Sequence, residues 1–361
     1  MLWSTPALAG AALLLPTVAA APKFGKAANL STKAQAGAHV IYSYSGSSIP
    51  SELYTLASQG AVGGIILFGD NVDSNTASEI EQLQSTYKKS ASYAGYPLII
   101  VTDQEGGEVA RLPGGPTASE YDIGQSNNVP SAASSAGVTA ATACAAYNVN
   151  GNLAPVLGVY RSPGDFLDQY QRSYSTEQYI AKEAGSAFIL AQQAHGVIAT
   201  AKHFPGLGAA TASEDTDVEP VTLNVSLEDL RTIDEVPFVG AVAAGVDMVM
   251  ASWAVYPAMD TLPAGLSPSW IGSELRSRLG YTGVTITDAI EAGALQAYGS
   301  NETRALKAMN AGMDIILASV GDPSQGSGIV SAIETALGNG GLSQSAFTSS
   351  TSRIMSLRSK L

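Results

Sequence analysis

The stretch that decides the fold runs from Ile198 to Asp217, IATAKHFPGLGAATASEDTD. A short apolar run of strand character, Ile198 to Thr200, leads to two polar groups, Lys202 and His203. A breaker cluster of Pro205, Gly206 and Gly208 follows, where the chain must leave the strand for a loop. That loop closes on three carboxylates, Glu214, Asp215 and Asp217. A buried strand ending on polar residues at a glycine loop is how a β/α barrel presents its chemistry, at the carboxyl ends of its strands. Solvated charges capping a strand would explain a lone lysine well enough. The adjacent His203, one of three histidines in the chain, turns the reading towards function.

Outward from this stretch the same kind of run recurs. Apolar, β-branched segments lie at His39–Tyr44, Val62–Phe68, Leu98–Asp103, Asn152–Val156, Ile198–His203, Asp247–Trp253, Gly283–Asp288 and Asp314–Val320. Helix-competent stretches separate them, among them Ala77–Ala91, Glu177–His195, Leu227–Ala244 and Ser267–Leu279. Ser267-Pro268 has the form of a helix start, a capping hydroxyl followed by proline in the first turn. Leu227, Leu230, Val236 and Val239 fit a buried helical stripe, which Pro237 is expected to end or kink. Ser343–Leu361 reads as a closing helix, and Gly321–Ser327 as a flexible loop to which no cofactor is assigned. Eight strands alternating with helices imply parallel pairing, and eight such units close into a TIM-type (β/α)8 barrel, an α/β fold. An open doubly wound sheet shares the alternation, but no GxGxxG turn follows the first strand to support dinucleotide binding.

Composition narrows the function. The 361 residues are 45% hydrophobic and 14% charged, enough apolar matter for one large core. A net charge of −13 offers no basic face for nucleic acid. Cys144 is the single cysteine, so no intramolecular disulfide framework exists. Three scattered histidines do not make a zinc site, and no metal is expected. Ala7–Leu15 is too short to span a bilayer and precedes small residues at Val18-Ala19-Ala20. Residues 1–20 therefore read as a secretion signal, although Lys and Arg are missing ahead of the apolar run. Sequons at Asn29, Asn224 and Asn301 fit that route. The expectation is a secreted chain with no membrane span, residues 21–361 forming one catalytic barrel. Nothing in the sequence bears on oligomeric state.

The strand ends hold Asp103, Asn152, Pro155, Lys202, His203, Ser252, Trp253 and Asp288. Acids and cations converging at one mouth suit a ligand rich in hydroxyls, since carboxylates accept from them and cations donate to them. Asp288 ends the buried run Val284-Thr285-Ile286-Thr287. Two readings of it are open: a cap for the following helix, or a nucleophile kept ionised by neighbouring cations.

KHFPG at Lys202–Gly206 resembles the signature of glycoside hydrolase family 3, in particular its β-N-acetylglucosaminidase branch. GGIILFGDN (Gly63–Asn71), TDQEGGEVARL (Thr102–Leu112), QRSYS (Gln171–Ser175) and VTITDAIEAGA (Val284–Ala294) resemble the same family in the same order, as do NLAPVLGV, ASWAVYPAMD and LSPSWI. The resemblance spans nearly all of residues 21–361, and no segment resembles the family's second α/β domain. It implies a retaining glycosidase acting on a carbohydrate, most simply terminal N-acetyl-β-glucosaminides, with a β-glucosidase-type specificity as the alternative. Asp288 matches the family's nucleophile, while Asp103, Arg111, Arg172, Lys202 and His203 match residues that hold the sugar.

The departures concern the proton donor. That branch carries His after KHFPG and an Asp-x-His pair later in the loop; here Leu207 and Asp215-Thr216-Asp217 stand instead. Glu108 and Trp253 also replace a basic residue and a frequent His. Asp217 keeps the spacing of the missing His, with Asp215 and then Glu214 as the other candidate acids. Crowded carboxylates repel, which raises the pKa of one and favours an acid role. Two readings compete with this one: a sugar-binding pseudoenzyme that has lost turnover, and a Schiff-base lyase using Lys202.

Overall fold

The computed structural model describes residues 30–361; the expected signal and the Asn29 sequon lie outside them. Ten strands follow one another: β1 (Val40–Tyr42), β2 (Gly64–Leu67), β3 (Ile99–Thr102), β4 (Gln104–Gly106), β5 (Val109–Ala110), β6 (Gly151–Asn152), β7 (Ile198–Phe204), β8 (Met248–Ala251), β9 (Val284–Ala289) and β10 (Ile315–Leu317). Eight close a parallel barrel in the order β1-β10-β9-β8-β7-β6-β3-β2, and β4 and β5 form a separate antiparallel hairpin. Each expected strand falls on a barrel strand. Agreement is weakest at β6, where only Gly151 and Asn152 are laddered and Val156 makes an isolated bridge to Lys202.

Side chains alternate across each barrel strand, as a period of two requires. Ile41, Ile66, Val101, Met250, Ile286 and Ile315 pack together in one buried cluster. Their neighbours Tyr42, Ile65, Leu67 and Ile100 belong to a different cluster, shared with the surrounding helices. Every apolar strand position is thus buried on one side or the other, which is why these strands read as continuous apolar runs.

Two ladders are irregular. Between β7 and β8 the register passes from Ala201↔Val249 to Phe204↔Ala251, so one extra residue is inserted on β7 at Lys202-His203. Between β9 and β10 it passes from Ile286↔Ile315 to Ala289↔Leu317, inserting one residue across Thr287-Asp288. Bulges re-aim side chains out of the regular pleat. Both interrupt the strands at the residues the sequence singles out.

The helices differ from expectation in detail. Leu227–Ala244 is a helix interrupted by a wide π turn, Leu230–Asp234, just before Pro237. The proline is accommodated in the first turn of Val236–Ala243, where its missing N–H costs nothing. Leu230, Phe238 and Ala241 form the buried face, whereas Val239 is exposed, because the π turn rotates the later residues. Ser267 accepts from the amide of Trp270 at the start of the helical segment Ser269–Arg278, as its sequence suggests. The segment from Gly321 to Ser327 is not simply a loop. Asp322 caps a helix from Pro323 to Asn339, its carboxylate accepting from Ser324 N, with proline in the first turn.

The seam between the first and last strands is polar. His39, ahead of β1, places Nδ1 2.7 Å from the Asp314 carbonyl and Nε2 2.8 Å from the Thr351 hydroxyl of the closing helix, Gln344–Arg358. Asp314, fully buried ahead of β10, accepts from Arg276 at 2.7 Å, Arg353 at 2.6 Å and Ser350 at 2.6 Å. Burial would raise its carboxyl, but Arg353 and Arg276 outweigh this and hold it below the usual range. Asn224 is exposed on a loop, while Asn301 opens the helix Asn301–Ala311 and accepts from Arg304. No helix among the described residues is long and apolar enough to cross a membrane.

Candidate active site

At the carboxyl ends of the strands lies a cavity of about 210 Å³. Its walls include Asp103, Arg111, Arg172, Lys202, His203, Asp215, Asp217 and Asp288, so residues far apart in sequence meet at one mouth. Glu214 does not line it; its carboxylate closes a turn by accepting from the amide and hydroxyl of Thr211. Of the other strand-end residues, Asn152 binds Gln104 and Gln192, and Ser252 accepts from its own loop at Ala254 N. Trp253 is fully buried and donates from Nε1 to the Ala289 carbonyl.

The charges at the mouth are organised by a residue that strand-end reading passes over. Glu105, in β4, receives Arg172 Nε at 2.8 Å and Nη2 at 2.9 Å, and Lys202 Nζ at 2.8 Å. Lys202 also donates to Asp103 at 2.7 Å. Burial alone would raise Glu105, but Arg172 and then Lys202 hold its carboxyl down at about 2. Burial would likewise lower Lys202, yet Asp103 and Glu105 keep it a firmly charged ammonium. Glu105 follows Asp103 by two residues, the spacing that puts two side chains on one face of an extended chain. That is the signal by which it could have been found. The β4–β5 turn that returns Arg111 beside Asp103 needs Gly106 and Gly107, both at positive φ, and a β-carbon at Gly106 would sit 2.4 Å from the Ala118 carbonyl. Arg111 Nε lies buried without a protein partner among the described residues.

Behind Glu105 stands a second buried acid, Glu120, which accepts from Val156 N at 2.8 Å. Burial, and next the charge of Glu105, push its carboxyl well above the usual range and favour its neutral form. Removing Glu105 should deprive Arg172 of its carboxylate and leave Lys202 paired with Asp103 alone. We expect Glu105→Ala to lower stability by about 3–5 kcal/mol, read from urea unfolding, because breaking a buried ion pair leaves uncompensated charge.

Asp288 sits on the β9 bulge with one oxygen accepting from Ala289 N at 2.8 Å and the other 3.7 Å from His203 Nε2. The expectation that cations keep Asp288 ionised is not met. Burial, the Lys202 charge and Arg172 push His203 well below its usual value, so it faces Asp288 as a neutral imidazole. Lys202 is committed to Asp103 and Glu105. Burial first, and the Asp217 carboxylate second, push Asp288 up to about 7. Asp217 rises too, from burial and then from Asp215, although its side chain keeps access to solvent at the mouth. The structure separates the two loop acids: Asp215 Oδ1 accepts from Asp217 N at 2.9 Å and so braces the turn. Among the described residues no such bond engages the Asp217 carboxylate.

This barrel has counterparts among known proteins. The profile described as "Glycosyl hydrolase family 3 N terminal domain" matches residues 35–357. The chain belongs to glycosyl hydrolase family 3 and is a glycoside hydrolase, so its substrate is a carbohydrate. It is 51% identical over 328 residues to an "Uncharacterized secreted glycosyl hydrolase" of Arthroderma benhamiae, spanning 91% of this chain and 93% of that one. A "Beta-hexosaminidase" of Tolumonas auensis is 33% identical over 262 residues, 71% of this chain and 75% of the other. Among solved structures, a family 3 β-N-acetylglucosaminidase from Paenibacillus sp. str. FPU-7 superposes with a TM-score of 0.85 at 31% identity; the match covers 92% of this chain and 62% of that larger one.

Proposed function

We propose that the protein is a secreted, retaining β-glycosidase that removes terminal N-acetyl-β-glucosaminyl residues through a glycosyl-enzyme on Asp288, with Asp217 as the general acid and base. The observation that carries this reading is the pair of carboxyls, Asp288 and Asp217, lining one cavity with the Asp103–Lys202–Glu105–Arg172 array. The resemblance to hexosaminidases and the secreted relative supports the sugar and the destination. Residues 1–20 would be removed on export.

In the proposed reaction Asp103 accepts from sugar hydroxyls while Lys202, Arg172 and Arg111 donate to them, which sets the anomeric carbon against Asp288. Asp217 protonates the departing oxygen as the Asp288 carboxylate forms the new bond. Water then enters, Asp217 takes its proton, and the ester at Asp288 is displaced with net retention. Release of nitrophenol from the N-acetyl-β-glucosaminide, exceeding that from the β-glucoside, is the expected result with purified protein. Release from neither would overturn the proposal in favour of a sugar-binding protein.

The two acids titrate together, because the Asp217 charge raises Asp288. The productive form carries one proton between them. A rising pH strips that proton as it passes about 7, and a falling pH protonates both. The profile of kcat/KM against pH should therefore be bell-shaped with its basic limb near 7. In Asp217→Asn the repelling charge is gone. Residual hydrolysis of an aryl glycoside should then need only ionised Asp288, rising with pH to a plateau with a midpoint below that of the wild-type basic limb.

A further inference from the structure

The turn after β9 does more than carry the nucleophile. Each of its residues is pinned to a neighbour. Ala289 N donates to the Asp288 carboxylate and Ala289 O accepts from Trp253. Ile290 N donates to Leu317 O and Ile290 O accepts from Arg304. The Glu291 carboxylate accepts from Ser319 and Gln325. At its end the same turn grips the acid-bearing loop by the backbone: Gly293 N donates to the Asp217 carbonyl at 2.8 Å, and Ala294 N to the Thr216 carbonyl at 3.1 Å. The grip is close enough to exclude a side chain. A β-carbon at Gly293 would lie 1.9 Å from the Val218 carbonyl oxygen and 2.3 Å from its carbon. Gly293 does not lie at positive φ, so contact, rather than backbone conformation, is what calls for glycine here.

One short, fully braced segment therefore bears Asp288 at one end and holds the Asp217 backbone at the other. We infer that Gly293 is a positioning residue that sets the distance between the Asp217 and Asp288 carboxyls, the turn Ala289–Ala294 acting as the spacer between them. The inference rests on Asp217 being the acid of the proposed reaction. Retention needs the two carboxyls about 5–5.5 Å apart, and catalytic groups tolerate displacements of only about 0.5 Å. A methyl group at Gly293 forces the loop back by about 1.5 Å if an ordinary contact of 3.4 Å is to be restored. A misplacement of that order costs about 10²-fold where proton transfer limits the rate. Where an aryl oxide leaves without help, it costs little.

The test compares Gly293→Ala, Asp217→Ala and a control, Gly272→Ala, whose β-carbon meets only open space. Each is assayed on a nitrophenyl N-acetyl-β-glucosaminide and on a β-linked N-acetylglucosamine disaccharide, with unfolding midpoints measured in parallel. Gly293→Ala is expected to lose about 10²-fold in kcat on the disaccharide with KM nearly unchanged, to stay within several-fold of wild type on the aryl glycoside, and to be labelled normally at Asp288 by a 2-fluoro sugar. Gly272→Ala should match wild type on both. Equal losses on both substrates, or wild-type rates on both, in Gly293→Ala would overturn the spacer. If Gly293→Ala does not fold, Ala294→Pro, which removes the N–H held by Thr216 and sets a ring carbon against that carbonyl, should show the same split, and a uniform effect there overturns it equally. A lack of substrate selectivity in Asp217→Ala is a separate failure: it removes the acid assignment, and the spacer with it. Selectivity in Asp217→Ala without selectivity in the turn variants rejects the spacer alone.

Discussion

Turnover of an N-acetyl-β-glucosaminide should fall by roughly 10⁴-fold or more in Asp288→Asn, the usual scale for removing a nucleophile, while the protein remains folded. A 2-fluoro sugar with a good leaving group should label Asp288 in the wild type and nothing in the variant. Labelling at another carboxylate, or near-normal rates, would reject the assignment. The variant should also be more stable than wild type at neutral pH. A carboxyl raised from 3.8 to about 7 on folding binds its proton more tightly in the native state, so its contribution is favourable below about 4 and is lost as pH climbs to 7. Asparagine keeps the bond from Ala289 N without that cost. The Tm advantage should therefore shrink as the pH is lowered towards 4.

The second large effect concerns proton donation. Asp217→Ala should lose about 10²–10⁴-fold on a disaccharide, where an alkoxide-like oxygen must be protonated as it leaves, and far less on a nitrophenyl glycoside. Added azide should recover part of the aryl activity by entering the vacated space and attacking the glycosyl-enzyme. Asp215→Ala should behave differently. Its carboxylate braces the Asp217 amide, so its removal should loosen the loop, with a smaller loss and no rescue by azide. Glu214→Ala, which only opens a turn at Thr211, should be close to wild type. Losses that do not depend on the leaving group in any of the three would leave the loop acids without a role in the chemistry.

Much of this was legible in the residues, for a physical reason. Barrel strands are buried on both faces, so each announces itself as an apolar run, and eight such runs with helices between them leave few alternatives. Asp103, Lys202, His203 and Asp288 were equally visible, because polar groups ending such runs have only the mouth of the barrel to face. The same logic failed at Asn152, Ser252 and Trp253. They end strands too, yet the first two bond to neighbouring backbone and side chains, and Trp253 reaches to the turn after β9. Which way a strand-end residue turns depends on partners that period cannot name. Glu105 was missed because it lies past its strand, in a hairpin formed only once Gly106 and Gly107 reverse the chain. The protonation of Asp288 was misjudged for a related reason. Lys202 does act to lower Asp288, but burial and the Asp217 charge outweigh it, a balance only the packed structure reveals.

The polar seam that joins His39, Asp314 and the closing helix bears on how the barrel is held shut. Ser350, Thr351 and Arg353 of that helix grip the two residues that precede the first and last strands. The ladder between β1 and β10 already joins those strands through the backbone, Val40 opposite Ile316, so the helix acts as a clasp over a joint that is made beneath it. Asp314 keeps Arg276 and Thr285 even without the clasp. Loosening it should therefore weaken the cylinder at one rim while leaving the groups at the mouth, at the other ends of the strands, in place.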